Sequence, residues 1–172
     1  DHPLDVTSEA DWQRVIGAIE ASAGRLDGLV NSAGIAPMGT VESTDYAVWR
    51  QVMAVNLDGT FLGCKHGLAL LKQRGCAIVN LSSVARHGNR GQSNYVSAKA
   101  ALAANTLTWS REFAQFGIRV GAVAPGMIET PMTQGMNQKA RDALVANIPV
   151  GRIGLPEDIW VAVRFVLECD YF

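Results

Sequence analysis

Three short apolar runs alternate with long amphipathic segments along this chain, and that alternation limits the folds open to it. The runs cover residues 26–31, 77–81 and 118–124, and their centres are almost continuously apolar. Strands of this composition are buried on both faces, which is typical of a parallel sheet covered by helices. The sequence therefore predicts an α/β fold with a doubly wound, Rossmann-like parallel sheet. With 172 residues and no repeat or linker, residues 1–172 are predicted to form a single domain.

The amphipathic segments between these runs are predicted to be helices. Ser8 and Asp11 have the spacing of a capping box, and Gly24 can end the helix that Ser8 opens. A long second helix is predicted over residues 44–73, with a kink or close packing at its three glycines: Gly59, Gly63 and Gly67. Further helices are predicted over residues 93–116, from about Gln138, and from Pro156.

Small and polar residues follow each predicted strand. The three loops are residues 31–34, 82–84 and 125–126. In a parallel sheet all strands end at the same edge, and ligands bind in the crevice at that edge. The topology therefore predicts a binding site formed by these three loops.

Tyr95 and Lys99 are the sharpest chemical feature of the sequence. Their i, i+4 spacing places both side chains on one face of a helix. A neighbouring cation is expected to lower the pKa of the phenol, so that Tyr95 can act as a general acid or base. Ser82 and Ser83 lie about a dozen residues earlier, at a predicted strand end, and one of them could share a substrate oxygen with Tyr95. The alternative interpretation is a surface tyrosine beside a solvated lysine.

Charge and composition argue against several classes of function. Fifteen basic and sixteen acidic side chains give a formal net charge of −1, which provides no basic surface for nucleic acid. No apolar run approaches the ~18–20 residues of a membrane span, so no membrane contact is expected. The three cysteines are far apart, which favours reduced thiols in a cytoplasmic protein. The three histidines lack ligand spacing, so no metal site is predicted.

Six segments resemble motifs of the short-chain dehydrogenase/reductase family in order and spacing. They are Asn31-Ser32-Ala33-Gly34, Val55-Asn56-Leu57-Asp58-Gly59, Ile78-Val79-Asn80-Leu81-Ser82-Ser83, Tyr95-x-x-x-Lys99, Pro125-Gly126-x-Ile128-x-Thr130 and Arg152-x-Gly154-x-Pro156-Glu157-Asp158-Ile159. Within the family, Gly88-Asn89-x-Gly91-Gln92-x-Asn94-Tyr95 is most similar to the 3-oxoacyl-[acyl-carrier-protein] reductase branch.

The resemblance implies a catalytic role for four residues. Tyr95 would protonate the substrate oxygen while a nicotinamide delivers hydride, and Lys99 would lower the Tyr95 pKa and bind the nicotinamide ribose. Ser83 would orient the carbonyl, with Ser82 as the alternative because the segment before Tyr95 is one residue shorter than usual. Asn56 would hold a water molecule in a proton relay, its alternative role being that of a helix-kink residue.

The resemblance also implies which residues contact the cofactor, expected to be NADP or NAD with NADP as the first choice. Asp5 and Val6 would contact the adenine, although Asp5 could equally be a loop acid. Asn31, Ala33 and Gly34 would lie near the adenine-side ribose, where small residues permit close approach. The nicotinamide end would be contacted by Tyr95, Lys99, Pro125, Gly126, Ile128 and Thr130.

The implied activity is the reduction of 3-oxoacyl thioesters on acyl carrier protein. Met127, Met132 and Met136 would belong to an adaptable apolar lid over the substrate, their alternative being the core of a plain helical excursion. The alternatives are another secondary alcohol or ketone as substrate, or a non-catalytic, oligomerising member. A homotetramer is expected, with residues 44–73 and 93–116 packed against a neighbouring copy. In the family register the chain is expected to be incomplete at both ends, beginning at about the third strand and stopping before the last.

Overall fold

A computed structural model describes residues 2–74 and 76–172 of the chain. Its sheet has three parallel strands in the order β1-β2-β3, with Leu29 of β1 opposite Ile78 of β2, which is opposite Val120 of β3. The strands are β1 (Gly28–Asn31), β2 (Ala77–Leu81) and β3 (Arg119–Val123). The predicted α/β fold with a parallel sheet is confirmed, and the bounds of the second strand agree with the sequence analysis.

Seven α-helices occur within the described part of the chain. They are α1 (Glu9–Ala23), α2 (Tyr46–Met53), α3 (Gly59–Leu71), α4 (Ser93–Phe113), α5 (Pro131–Gln134), α6 (Gln138–Val145) and α7 (Pro156–Glu168). The short α5 was not predicted from the sequence. α4 continues into a 3₁₀ turn, Ala114–Phe116, which is why the apolar pattern predicted a helix to residue 116.

The ends of α1 follow the predicted capping chemistry. The Ser8 hydroxyl accepts a hydrogen bond from the Asp11 amide at 3.2 Å, which satisfies one of the free amides of the first turn. Gly24 ends the helix with φ of 66°, a left-handed conformation that glycine adopts without steric cost. Trp12 and Val15 are buried, so the amphipathic face of α1 packs inward.

The predicted helix over residues 44–73 is three consecutive segments rather than one helix. α2 passes into a π-helical segment, Ala54–Asp58, and α3 begins at Gly59. The irregularity therefore precedes the glycines, and two of them, Gly59 and Gly63, allow close packing instead. A Cβ at Gly63 would lie 2.9 Å from the Trp12 ring, so α3 approaches α1 as only glycine allows.

Helices cover both faces of the sheet. One core cluster joins the sheet to α3 and α4 and includes Leu71, Ile78 and Leu102, none of which is measurably exposed. A second cluster joins Val79 and α7 on the opposite face, through Val163 and Val166. β2 is thus buried on both sides, as its continuous apolar composition predicts, whereas Val30 of β1 is 41% exposed.

A line of buried polar side chains crosses the sheet within this core. The Asn31 amide donates to the Asn80 side chain at 2.9 Å, and the Asn80 amide donates to the Thr106 hydroxyl at 2.9 Å. The Thr106 hydroxyl in turn donates to the Leu102 carbonyl at 2.8 Å. These bonds fix β1, β2 and α4 in register near the strand ends, because buried polar groups strongly favour arrangements that pair them.

Candidate active site

The loops after β2 and β3 lie together at the carboxyl edge of the sheet. The Ser82 amide donates to the Val123 carbonyl at 2.8 Å, and the Val84 amide donates to the Pro125 carbonyl at 3.1 Å. Pairing between the two chain segments therefore continues beyond the strands. Two of the three loops predicted to share an edge are held side by side by backbone hydrogen bonds.

The two adjacent serines at the end of β2 have different environments. Ser82 is buried, and its hydroxyl donates to the Lys99 carbonyl at 3.1 Å. Ser83 is partly exposed, and its hydroxyl accepts a hydrogen bond from the Ala85 amide at 3.1 Å. Hydrogen bonding between Ser83 and the Tyr95 phenol acts to lower the Tyr95 pKa. The alternation of side chains at the strand end thus turns Ser82 into the core and Ser83 towards Tyr95.

α4 carries Tyr95 in its first turn, and the Lys99 carbonyl of the next turn accepts the Ser82 hydroxyl. The Lys99 ammonium lies 5.6 Å from the centre of the Tyr95 ring and donates to the Leu81 carbonyl at 2.6 Å. Lys99 is only 4% exposed, and burial lowers its pKa to about 8. A lysine with this pKa is still mostly protonated at neutral pH.

The expected lowering of the Tyr95 pKa is wrong for this structure. Burial raises the Tyr95 pKa above its usual value of about 10, and hydrogen bonding to Ser83 offsets only part of that rise. Lys99 directs its ammonium to the carbonyl of Leu81, and desolvation of the phenolate dominates over its charge. Tyr95 is therefore protonated at neutral pH.

Asn56 is completely buried within the π-helical segment. Its amide donates to the carbonyls of Val52 and Ile35, each at 2.9 Å, so it ties the helix to the loop after β1. Its Oδ1 is a buried acceptor without a protein hydrogen-bond partner within the described residues. A buried acceptor in this state is a candidate for a bound water molecule or ligand donor.

Gly34 brings the loop after β1 to the same point. A Cβ at Gly34 would lie 2.8 Å from Asn56 Oδ1 and 3.8 Å from the Lys99 ammonium nitrogen. Only a residue without a side chain fits this approach. The structure thus brings together Asn56, Lys99 and Gly34 on one side, and Ser83 with Tyr95 on the other.

Three of the remaining residues that were expected near the adenine side of the cofactor have side chains that contact other parts of the protein. The Asn31 side chain is turned into the sheet, so only its backbone is available to a ligand. The Asp5 carboxylate accepts the Thr7 amide at 2.9 Å and the Thr7 hydroxyl at 2.8 Å, as a loop acid would. Val6 packs against α3, where its side chain is 2.9 Å from a Cβ built on Gly59. Ala33 lies in the loop between β1 and α2.

The segment after β3 is hydrogen-bonded to the segment before α7. Ile128 pairs with Gly154 in a short parallel bridge, and the Glu129 amide donates to the Gly154 carbonyl at 2.8 Å. Gly126 has no atom within 4 Å of an added Cβ, so this backbone is open to approach. Thr130 opens α5 in a capping box with Thr133.

Sequence reasoning missed several groups of this site. The carbonyls of Leu81 and Ile35 hold Lys99 and Asn56, but backbone acceptors leave no residue-type signal. The signal for α5 was present, since Pro131 follows Thr130 and proline is favoured in a first helical turn.

Within residues 2–74 and 76–172, no group of three or more His, Cys, Asp or Glu side chains is arranged to hold a metal ion. In the same part of the chain, no helix combines the length and the apolar character that crossing a bilayer requires.

Comparison with known proteins decides the family. A family model described as Enoyl-(Acyl carrier protein) reductase matches residues 2–170. The chain belongs to the short-chain dehydrogenase/reductase family. It is accordingly an oxidoreductase that acts on CH–OH groups with a nicotinamide cofactor, NAD or NADP. The resemblance noted from the motifs is thereby confirmed.

Three relatives show the range of activities within this family. The chain is 41% identical to 3-oxoacyl-[acyl-carrier-protein] reductase FabG of Thermotoga maritima. The matched 165 residues cover 95% of this chain and 67% of that protein. It is 40% identical to carbonyl reductase family member 4 of Xenopus tropicalis, over 97% of this chain and 70% of that protein. It is 42% identical to an inactive 2-(S)-hydroxypropyl-CoM dehydrogenase 2 of Xanthobacter autotrophicus, over 95% of this chain and 75% of that protein.

Proposed function

We propose that this protein is an NAD(P)H-dependent reductase of 3-oxoacyl thioesters carried on acyl carrier protein. The observation that carries the proposal is the placement of Ser83 beside a protonated Tyr95 at the carboxyl edge, with the buried Lys99 one helical turn away. The names of the FabG relatives support the choice of substrate.

In this proposal Tyr95 is the general acid. Its phenol is protonated at neutral pH, which is the form that can donate a proton to a carbonyl oxygen as that oxygen becomes an alkoxide. Ser83 donates a second hydrogen bond to the same oxygen and fixes its position. A bound nicotinamide supplies the hydride to the carbonyl carbon.

Lys99 and Asn56 complete the catalytic set. The Lys99 ammonium provides a fixed positive charge near the developing alkoxide and a donor for the ribose of the cofactor. Asn56 Oδ1 holds a water molecule that returns a proton towards Tyr95 after each turnover. Gly34 leaves the space for that water, because any side chain there would contact Asn56 Oδ1.

The geometry fits the nicotinamide end of a dinucleotide. Gly126 offers open backbone at the edge, and Gly34 lies close to Asn56 Oδ1, which has no hydrogen-bond partner within the described residues. We assign the cofactor contacts to Asp5, Val6, Asn31, Ala33, Gly34, Tyr95, Lys99, Pro125, Gly126, Ile128 and Thr130. NADP is our first choice and NAD the second.

A second candidate function is the interconversion of a different ketone and secondary alcohol. It is favoured by relatives named as carbonyl reductases and as hydroxycyclohexanecarboxylate dehydrogenases. A non-catalytic role is the third candidate, since one relative is named inactive. Ser83 hydrogen bonds with Tyr95, and the Lys99 ammonium lies 5.6 Å from the centre of the Tyr95 ring, which argues for activity.

The deciding experiment measures NADPH and NADH oxidation by the full-length enzyme with an acetoacetyl thioester, and compares it with a panel of ketones and alcohols. The proposal expects turnover with the thioester and faster turnover with NADPH. Turnover with another ketone alone would establish the second candidate. No turnover with any of these compounds would overturn the proposed activity.

We also propose a cytoplasmic homotetramer. α3 and α4 present large apolar side chains to solvent, among them Phe61 at 49% and Leu107 at 55% exposure. Covering such side chains in a neighbouring copy would remove apolar surface from water. Sedimentation of the full-length protein tests this proposal, and a monomer at micromolar concentration would contradict it.

A further inference from the structure

The loop between β2 and α4 carries three basic side chains and no acidic one. This basic loop, residues 84–92, joins Ser83 to the first turn of α4 and contains Arg86, His87 and Arg90. His87 and Arg90 are exposed, whereas Arg86 is partly buried. In the part of the chain that the structure describes, neither arginine forms an ion pair with a carboxylate. A chain with a net charge of −1 thus concentrates positive charge next to a serine of its candidate active site.

Arg86 is oriented by hydrogen bonds to its neighbours in the chain. Its amide donates to the Ser83 carbonyl at 3.2 Å, and its Nε donates to His87 Nε2 at 3.1 Å. Because the imidazole accepts that bond, it fixes the plane of the guanidinium. The two Nη groups of Arg86 have no hydrogen-bond partner within the described residues. A guanidinium with both Nη groups available can bind a carboxylate through two parallel hydrogen bonds.

Hydrogen bonds at both ends hold the basic loop in place. At its start, the Ser83 hydroxyl caps the 3₁₀ turn Val84–His87, and the Val84 amide donates to the Pro125 carbonyl at 3.1 Å. At its end, the Gly91 carbonyl accepts the Gly39 amide at 2.9 Å. Three residues of a 3₁₀ turn span about 6 Å, so the Arg86 backbone lies at a short, fixed distance from Ser83. The charge of Arg86 is therefore close to the serine that would hold the substrate carbonyl.

We propose that Arg86 binds a carboxylate on the ketone substrate, so that the protein reduces short oxo acids. This inference rests on the proposed function in taking Ser83 and Tyr95 as the groups that hold the carbonyl, and it adds a substrate class. Hydride from the reduced nicotinamide adds to the carbonyl carbon as the C=O π bond breaks, and the Tyr95 phenol gives its proton to the oxygen. The products are the hydroxy acid and the oxidised nicotinamide, and the carboxylate stays ionised on Arg86. Arg90 strengthens the positive potential without contacting the carboxylate.

The test compares methyl-ketone acids of increasing chain length, beginning with 4-oxopentanoate, with the primary amide of each acid. The two members of a pair present the same ketone and differ in negative charge. The full-length parent is compared with Arg86→Gln, Arg86→Lys and Arg90→Gln. Arg111→Gln is the matched control, because Arg111 is exposed in the last turn of α4, far along the helix from Tyr95. Reduction is measured as kcat/KM, and binding of each acid and amide is titrated by ligand-observed NMR.

The parent is expected to favour an acid over its amide by about tenfold in kcat/KM and to bind it more tightly. Arg86→Gln removes this preference by slowing reduction of the acid, and it changes reduction of the amide by less than about twofold. Arg86→Lys keeps part of the preference, because lysine retains the charge but cannot form the two parallel bonds. Arg111→Gln keeps all of it.

Two kinetic results would overturn the inference. One is a parent that prefers no acid at any chain length, or a preference that survives Arg86→Gln. The other is a larger loss in Arg90→Gln than in Arg86→Gln, which would place the carboxylate elsewhere in the basic loop. Failure of the proposed function is distinct, since the parent would then reduce no ketone or thioester at all. The NMR titration would in that case still show whether the acids bind through Arg86.

Discussion

At the scale of single residues, burial sets the protonation state of the candidate catalytic groups. Burial raises the Tyr95 pKa and lowers the Lys99 pKa to about 8, so each group favours its uncharged form more than it would in water. Sequence spacing alone suggested that the cation would dominate. The structure shows that desolvation does, because Lys99 is nearly inaccessible and bonded to a carbonyl.

Replacement of Tyr95 by Phe tests its role as the acid. The variant keeps the ring and its packing but removes the donor proton, so reduction should slow by about 10²- to 10⁴-fold. NAD(P)H oxidation by the full-length enzyme measures the effect. Tyr171→Phe is the matched control, because Tyr171 is fully exposed and far in sequence from the site. Equal activity of the Tyr95 variant and the parent would contradict the mechanism.

The pH dependence of ketone reduction follows from Lys99. Its ammonium loses a proton as the pH rises through about 8, while Tyr95 remains protonated because its pKa is raised. The loss of this charge removes stabilisation of the alkoxide, so kcat/KM for reduction should fall above about pH 8. A pH–rate profile of the full-length enzyme shows whether this descending limb exists. A rate that stays constant beyond the ordinary lysine pKa of about 10.4 would exclude Lys99 as its source.

At the scale of secondary-structure elements, continuous apolar runs predicted the three strands because strands of a helix-covered parallel sheet are typically apolar along their length. Capping at Ser8 and Gly24 predicted α1 equally well. The helix over residues 44–73 was predicted as one piece, since apolar periodicity is insensitive to a single π-helical turn. Within that turn the buried Asn56 amide donates to the Val52 carbonyl one turn earlier and to the Ile35 carbonyl, and only the tertiary fold brings Ile35 within reach.

Two glycines of α3 should respond in opposite ways to alanine. At Gly63 a Cβ would lie 2.8 Å from Asn31 Oδ1 and 2.9 Å from the rigid Trp12 ring, so Gly63→Ala should destabilise the protein by about 1–3 kcal/mol. At Gly67 the nearest atoms to an added Cβ are side-chain carbons 3.6 Å away, which is ordinary contact. Gly67→Ala should therefore stabilise by about 0.5–1 kcal/mol through helix propensity.

Denaturant unfolding of the two glycine variants and the parent gives these free energies directly. The two substitutions add the same methyl group to the same helix, so each serves as the control for the other. Destabilisation of similar size in both would mean that α3 tolerates no added methyl group anywhere. Stabilisation by Gly63→Ala would show that α1 and α3 are not in close contact.

At the scale of the whole molecule, the site depends on how the sheet is joined to α4. Apolar packing on both faces holds the layers together, but it specifies their relative position along the strands only loosely. The hydrogen bonds from Asn31 to Asn80 and from Asn80 to Thr106 are directional, and they lie close to the strand ends. The distance from Ser83 on the sheet to Tyr95 on α4 therefore depends on this buried polar line as well as on the core.

Thr106→Val tests that dependence with little change in shape. It removes the acceptor of the Asn80 amide inside the core, so the unfolding free energy should fall by about 1–3 kcal/mol. Thr108→Val is the matched control, because Thr108 is exposed on the same helix and its hydroxyl bonds only the Ala104 carbonyl at 3.2 Å, so its effect should stay within about 0.5 kcal/mol. If the line also aligns the site, Thr106→Val lowers kcat at temperatures where the protein is still fully folded, whereas Thr108→Val does not. Equal stabilities for the two variants would show that packing alone fixes α4 on the sheet.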